Sequence, residues 1–287
     1  MKRKVGACEL ELGAASAATP KTAAPVLVPP GEAIAMLARR GLRPERTVGD
    51  VPFPQPLDKG VAEKLSGLLG HYAFRLFLRG AIQKPAGFLP GETTRYLTQE
   101  QSAEYAENLV RLGLAEKSPR GRYEYRLKSP ARSFGGTLEW YVGRELTLRF
   151  GFDVETGIKL HVPGLGGDLD VIAAAEGKMT YIELKSSPPR NLGASEITAF
   201  CDRLAFLRPD LALFVVDTAL RLSDKVLPMF VAEFARRGCG IPAKQRVGAQ
   251  LWALTPRLYL VNGSRDLMMN ISKAIAAGFR SLSPPTF

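Results

Sequence analysis

A chain of 287 residues with 46% hydrophobic side chains is long enough to bury one large core or two smaller ones, and no run of roughly 18 apolar residues is present to cross a membrane. Three widely spaced cysteines (Cys8, Cys201, Cys239) and two histidines (His71, His161) argue against a disulfide framework, a zinc knuckle and a histidine-rich metal site, so any metal is expected on oxygen ligands. The 39 basic against 28 acidic residues, a formal net charge of +11, fit a protein that meets phosphate backbones and equally a generally basic chain or a basic tail that serves solubility, so charge alone does not decide.

The opening residues "MKRKVGACELELGAASAA" have the basic start and small-residue tail of a secretory signal, but Glu9 and Glu11 interrupt its apolar stretch, and a cytoplasmic location is expected. Residues 1–60 are rich in Ala and Pro and read as a largely flexible arm with one candidate docked helix at "EAIAMLARRGL". From 61 the pattern becomes helical, with Leu65, Leu68, Leu69, Ala73 and Leu76 at helix spacing and Gly80 as the expected stop. A second helix is predicted from the cap Thr98 through Ala103, Ala106, Leu109 and Val110 to Gly113. The alternating stretch "RYEYRL" then pairs with "LAEKS" across a turn at Pro119-Arg120-Gly121. Residues 61–130 thus resemble a small winged helix-turn-helix domain, carried by pattern and by no specific motif. Arg120, Arg122 and Arg126 on the hairpin are candidate phosphate contacts, whereas Glu100, Glu104 and Glu107 on the second helix would repel DNA, so nucleic-acid binding and a packing or dimerisation role both stand.

Residues 131–287 alternate helix and strand patterns, which predicts an α/β (α+β) domain around one mixed central sheet. "GGTLEWYVGRELTLRFG" reads as a helix, "GIKLHV", "DLDVIAAA" and "MTYIELKS" as strands, and "EGK" as the tight turn between the last two. A helix near 194–207, the apolar strand "LALFVVD", a helix in "VLPMFVAEFARRG", short strands near 251–261 and a final helix capped by Ser264 complete the chain.

Residues two apart on a strand share a face, so Asp168 and Asp170 point one way, as do Tyr181, Glu183 and Lys185, while Ile182 and Leu184 take the other side. The turn at Glu176-Gly177-Lys178 folds these strands together, so that carboxylates and a lysine converge at one end of a hairpin. That is an oxygen-ligand set for a hard divalent cation such as Mg2+ or Mn2+, which polarises a phosphate and acidifies a bound water. A neighbouring lysine orients or helps to deprotonate that water, its pKa expected to fall in a desolvated, cation-rich site.

At these residues the chain resembles the PD-(D/E)XK nuclease superfamily of restriction-endonuclease-like and resolvase-like proteins, including nuclease domains of some CRISPR ancillary effectors. The resemblance covers roughly residues 134–220 and implies a core of helix, three-strand meander, helix and fourth strand. Asp170 in "GGDLDVIA" takes the place of the motif aspartate, and Glu183 and Lys185 in "YIELKS" those of the acidic residue and lysine; Glu139 in "GGTLEWYV" matches a glutamate on the preceding helix. The resemblance therefore implies Glu139, Asp170 and Glu183 as metal ligands with Asp168 as a further candidate, and Lys185 as the water-orienting group. It implies a metal-dependent endonuclease acting on nucleic acid, DNA ahead of RNA, with a possible homodimer for duplex cutting. Arg190, after "YIELKS", is a further phosphate candidate. The region upstream is too short for the nucleotide-sensing domain of the CRISPR effectors, so activation by a cyclic nucleotide is not expected. The alternatives are a non-catalytic nucleic-acid-binding or regulatory protein on a nuclease scaffold, and a defence effector that needs a partner or activator.

Overall fold

The computed structural model describes residues 31–282 other than 48, 127–130, 164, 241–244 and 249–250; Cys8, Glu9 and Glu11 lie outside the described residues. The described chain begins with α1 (Glu32–Arg39) and β1 (Pro44–Arg46), followed by α2 (Lys59–Gly70), α3 (Tyr72–Ile82), α4 (Gln99–Arg111) and the hairpin β2 (Ala115–Lys117) and β3 (Tyr123–Tyr125). Next come α5 (Gly135–Phe150), the meander β4 (Asp153–Leu160), β5 (Asp168–Ala175) and β6 (Lys178–Lys185), then α6 (Ala194–Leu207) and β7 (Leu211–Val216). The last elements are α7 (Val226–Arg236), β8 (Gln245–Gly248), β9 (Leu251–Thr255), β10 (Leu258–Asn262) and α8 (Leu267–Leu282).

Eight strands form one sheet in the order β1-β4-β5-β6-β7-β10-β9-β8, with β2 and β3 apart. The neighbours β6, β7 and β10 run parallel and the other pairs antiparallel. This is a mixed α/β fold with a large central sheet flanked by helices, consistent with a restriction-endonuclease-like fold. The succession α5, β4-β5-β6, α6, β7 follows the helix, meander, helix, strand order.

Strand alternation divides the core between two faces. Val171, Ile182, Leu213 and Val215 pack with α5 and α8 and with the α2–α4 helices, whereas Ile172, Tyr181, Phe214 and Val216 pack with α1, α6 and α7. The strands are therefore apolar on both sides, as a sheet covered by helices on each face requires. Leu65, Phe74 and Phe77 belong to the same buried cluster as Leu138, Val142 and Val171, and the chain from Gly31 onward is one compact unit.

Local signals account for most element ends. Thr98 and Gln101 form a reciprocal capping box on α4, and Gly113 (φ 70°) closes that helix with Leu114 N–H donating back to the Leu109 carbonyl. The two-residue turn Glu176-Gly177, both at positive φ, joins β5 to β6 in a hairpin of the type that matches strand twist.

Other positions differ from expectation. The arm expected over 1–60 is, from Gly31, partly built into the fold: β1 pairs with β4 at the sheet edge, and α1 buries Ala33, Met36 and Leu37. The helix is the one expected at "EAIAMLARRGL", whereas the pairing of β1 was not expected. Gly80 does not stop α3, which continues to Ile82; a Cβ there would lie 1.6 Å from the Thr93 carbonyl oxygen, so the glycine admits a crossing backbone. At the start of α8 the carboxylate of Asp266 accepts from the Met269 N–H at 2.9 Å, the capping role expected of Ser264.

Candidate active site

The site forms where the hairpin register, one glycine and two helices meet. Val171 pairs with Ile182, so the next position along sets Asp170 opposite Glu183, with Lys185 two residues further on the same face. On the other flank the pairs Thr156–Val171 and Ile158–Leu169 place Gly157 opposite Asp170. Gly157 has φ 59°, and a Cβ there would stand 2.7 Å from Thr47 Oγ1 and 3.6 Å from Glu139 Oε2. Glu139, from α5, thus extends its carboxylate past a strand position that has no side chain. The structure brings Glu139, Asp170, Glu183 and Lys185 together from three elements. Asp168 sits at the exposed start of β5, paired in register with Lys159.

Glu183 is only 2% exposed, and a carboxylate so buried needs partners. Its Oε1 accepts from Lys185 Nζ at 2.8 Å and from Arg203 Nη2 at 2.7 Å, and its Oε2 accepts from the Tyr181 hydroxyl. Arg203 also donates from Nε to the Tyr181 oxygen at 2.8 Å and from Nη1 to the Gly166 carbonyl at 2.9 Å. Lys185 has a second carboxylate, Glu196, at 3.7 Å, whose other oxygen accepts from the Gly193 N–H and caps α6. Arg203 lies on the inward stripe of α6 with Phe200 and Leu207, where it supplies a cation to the buried Glu183. Two cations, Lys185 and Arg203, balance Glu183 and Asp170, and Glu139 adds a surplus negative charge.

That surplus shows in the titration behaviour. Burial, and then the charges of Asp168 and Glu183, push the Glu139 carboxyl up to about 7, only partly offset by Lys185. Burial and the neighbouring Glu183 and Glu139 raise Asp170 well above the carboxylate range, although its Oδ2 accepts from the Leu184 N–H at 2.6 Å. In the metal-free site burial opposes the Lys185 charge, yet Glu183 beside it holds the ammonium above its ordinary value. Without divalent metal the Glu139 carboxyl keeps its proton in the folded chain between about 4.5 and about 7, where the unfolded chain has lost it, so the stability this group contributes is expected to fall as pH rises through that window. Melting temperatures in EDTA at pH 5 and pH 8 check this, and Glu139→Gln should flatten the slope; an unchanged slope in that variant would place the proton elsewhere.

All donors here are carboxylate oxygens, the chemistry of a hard divalent cation. Among the described residues no three Asp, Glu, His or Cys side chains stand as a group able to hold a metal ion, and Glu183 is engaged by Arg203, Lys185 and Tyr181. Glu139 and Asp170 favour protons, as buried carboxyl groups beside like charge do, and with Glu183 they are the oxygen donors that a divalent cation would meet here. Asp168 stands at the solvent side of that set.

No family model matches the chain, and no curated protein matches it. Among solved structures it is similar to protein VC1899 from Vibrio cholerae (16% identity, TM-score 0.49, covering 86% of this chain and 62% of that one). It is also similar to Can2 from Sulfobacillus thermosulfidooxidans in complex with cyclic tetra-adenylate (15% identity, TM-score 0.47, covering 88% of this chain and 61% of that one). The chain spans about three fifths of the length of either.

Among the described residues no hydrogen bond or ion pair joins the arginines singled out by sequence to Glu139, Asp168, Asp170 or Glu183. Arg120 is exposed at the β2–β3 turn; Arg122 donates to the Gly87 carbonyl at 2.7 Å, and Arg126 pairs with Glu116 across the hairpin at 2.6 Å. Of the α4 glutamates, Glu107 is taken up by Lys117 at 2.8 Å and by the Tyr123 hydroxyl. Arg190 is exposed on the segment between β6 and α6. The group that sequence reasoning missed is Arg75, Arg79 and Asp217. Its one signal was an aspartate closing the wholly apolar strand "LALFVV".

Proposed function

We propose that the chain is a divalent-metal-dependent nuclease of the PD-(D/E)XK type that hydrolyses phosphodiester bonds in nucleic acid. The observation that carries this reading is the meeting of Glu139, Asp170, Glu183 and Lys185 at one end of the β5–β6 hairpin, where burial and the neighbouring carboxylates raise the affinity of Glu139 and Asp170 for protons. Mg2+ or Mn2+ held there supplies charge stabilisation on a scissile phosphate and an acidified water. Glu139, Asp170 and Glu183 provide the oxygens; Lys185, partly exposed beside them, donates to the water or to a phosphate oxygen. Arg203 and Tyr181 keep the Glu183 carboxylate in one orientation. The helices of residues 61–130, with Arg120 at the hairpin tip, serve as a winged-helix-like surface that positions the nucleic acid.

The test is incubation of supercoiled plasmid, linear duplex, single-stranded DNA and RNA with Mg2+ or Mn2+ and with EDTA, beside Asp170→Ala. Metal-dependent cutting lost in the variant is expected, and the substrate panel distinguishes DNA from RNA. Equal cutting by the native chain and the variant would defeat the assignment.

A second reading, a nucleic-acid-binding protein on a nuclease scaffold, is favoured by the completeness of the Glu183 network, which satisfies the carboxylate with protein donors alone. Nucleic acid retained in EDTA with no cutting in any metal would select it.

A further inference from the structure

A cavity of about 560 Å³ lies between α3, the turn carrying Thr93 and Tyr96, and the segments that follow β6 and β7. Its volume is that of a small-molecule site. Its floor is charged. Asp217 is fully buried and takes Arg75 at 2.9 Å and Arg79 at 3.0 Å, so two guanidinium groups share one carboxylate and positive charge is left over. Arg79 lines the cavity with its side chain 18% exposed, and Arg190 stands on the rim. The walls include two tyrosines. Tyr72 comes from α3, and Tyr96 is 65% exposed, with the Arg95 guanidinium 5.1 Å from its ring centre. Gln83 and Asn191 add amides able to both donate and accept. The cavity also adjoins the candidate active site through the backbone: the Asp217 N–H donates to the Lys185 carbonyl at 2.8 Å.

Cations for a phosphate, an exposed ring for a base and amides for a base edge are together the requirements of one nucleotide. The carboxyl ends of parallel strands, here β6 and β7, are where open α/β sheets place such ligands. We propose that this cavity binds a single nucleotide, base and phosphate together. The inference rests on the reading of the chain as one that handles nucleic acid. The nucleotide is supplied either by an unpaired residue of the strand or as a free mononucleotide, and the chemistry of recognition is the same.

Calorimetric titration of the full chain in EDTA with adenosine 5′-monophosphate, with adenosine and with a short single-stranded oligothymidylate tests it. A phosphate-bearing probe should saturate one site, with adenosine weaker by about tenfold or more. Tyr96→Ala and Arg190→Ala, both at exposed positions, should each weaken that probe by about tenfold with unchanged melting temperature. Saturation by the oligonucleotide but not the mononucleotide identifies the strand as the source; saturation by the mononucleotide identifies the free nucleotide. Adenosine binding as tightly as its phosphate, no binding by any probe, or native affinity in both variants would overturn the proposal. Cleavage measured in parallel keeps the two readings separate. A chain that cuts nucleic acid with no effect of Tyr96→Ala or Arg190→Ala on binding loses the cavity and keeps the nuclease. A chain that binds adenosine monophosphate through these residues and never cuts does the reverse.

Discussion

Lys185→Ala is expected to slow phosphodiester hydrolysis by about 10²–10³-fold, the scale on which a positioned donor acts on developing charge, while the protein stays folded. The Lys185 side chain is 21% exposed against 7% for Arg203, so of the two cations on Glu183 it is the one that substrate and water reach more readily. Its neighbours Glu183 and Glu196 hold it as an ammonium, which makes it a charged donor and not a proton acceptor in the metal-free site. Its removal leaves Glu183 paired with Arg203 and hydrogen-bonded by Tyr181, so the cost to folding is small. Lys185→Arg keeps the charge but replaces a compact point donor with a planar fork, and should recover only part of the rate. Single-turnover cleavage in saturating Mg2+, with a thermal melt of each variant, checks both halves. A native rate in Lys185→Ala would take this lysine out of the chemistry.

Arg75→Ala is expected to destabilise the protein by about 3–5 kcal/mol, the range for removing one partner of a buried ion pair. Arg75 is 1% exposed and makes two kinds of bond. Its Nε lies 3.0 Å from Asp217 Oδ1, and its Nη1 donates to the Leu69 and Gly70 carbonyls at 2.6 and 3.1 Å. The residue therefore caps the C-terminus of α2 and joins α3 to the end of β7. Its loss leaves Asp217, at 0% exposure, with Arg79 alone and strips two helix-end carbonyls of their donor. Marginal stability makes such a cost a large fraction of the total. Chemical denaturation of Arg75→Ala, Asp217→Ala and the double variant measures it. The double variant should be less destabilised than the sum of the singles, because the charges are lost together; strict additivity would show that the pair is not coupled.

Much of the candidate site was legible because strand geometry has a period of two. "DLDVIAAA" and "MTYIELKS", joined by a two-residue turn, have few registers that bury Ile182 and Leu184 on one side, and each of these sends Glu183 and Lys185 to the other. Glu139 was named through the resemblance of "GGTLEWYV" to the helix before the meander, and not by strand spacing. The parts played by Arg203 and Tyr181 were not legible, because an arginine on a helix is most often solvated and a tyrosine on a buried strand most often packs. Their roles depend on Glu183 lying 2.7 Å from one guanidinium nitrogen of Arg203, a fact of packing and not of spacing.

The sequence by itself determined the alternation of elements, the α/β class, the turn at Glu176-Gly177 and the side of the hairpin on which the carboxylates stand. These are local consequences of periodicity, capping and backbone freedom. Only the tertiary structure decided that β1 closes the sheet edge, that Gly80 and Gly157 are points of close approach, and that Arg75 and Arg79 share Asp217. Those features join residues as far apart as Arg75 and Asp217. Buried charge must find a partner wherever the folded chain brings one, and no local pattern records which one that is.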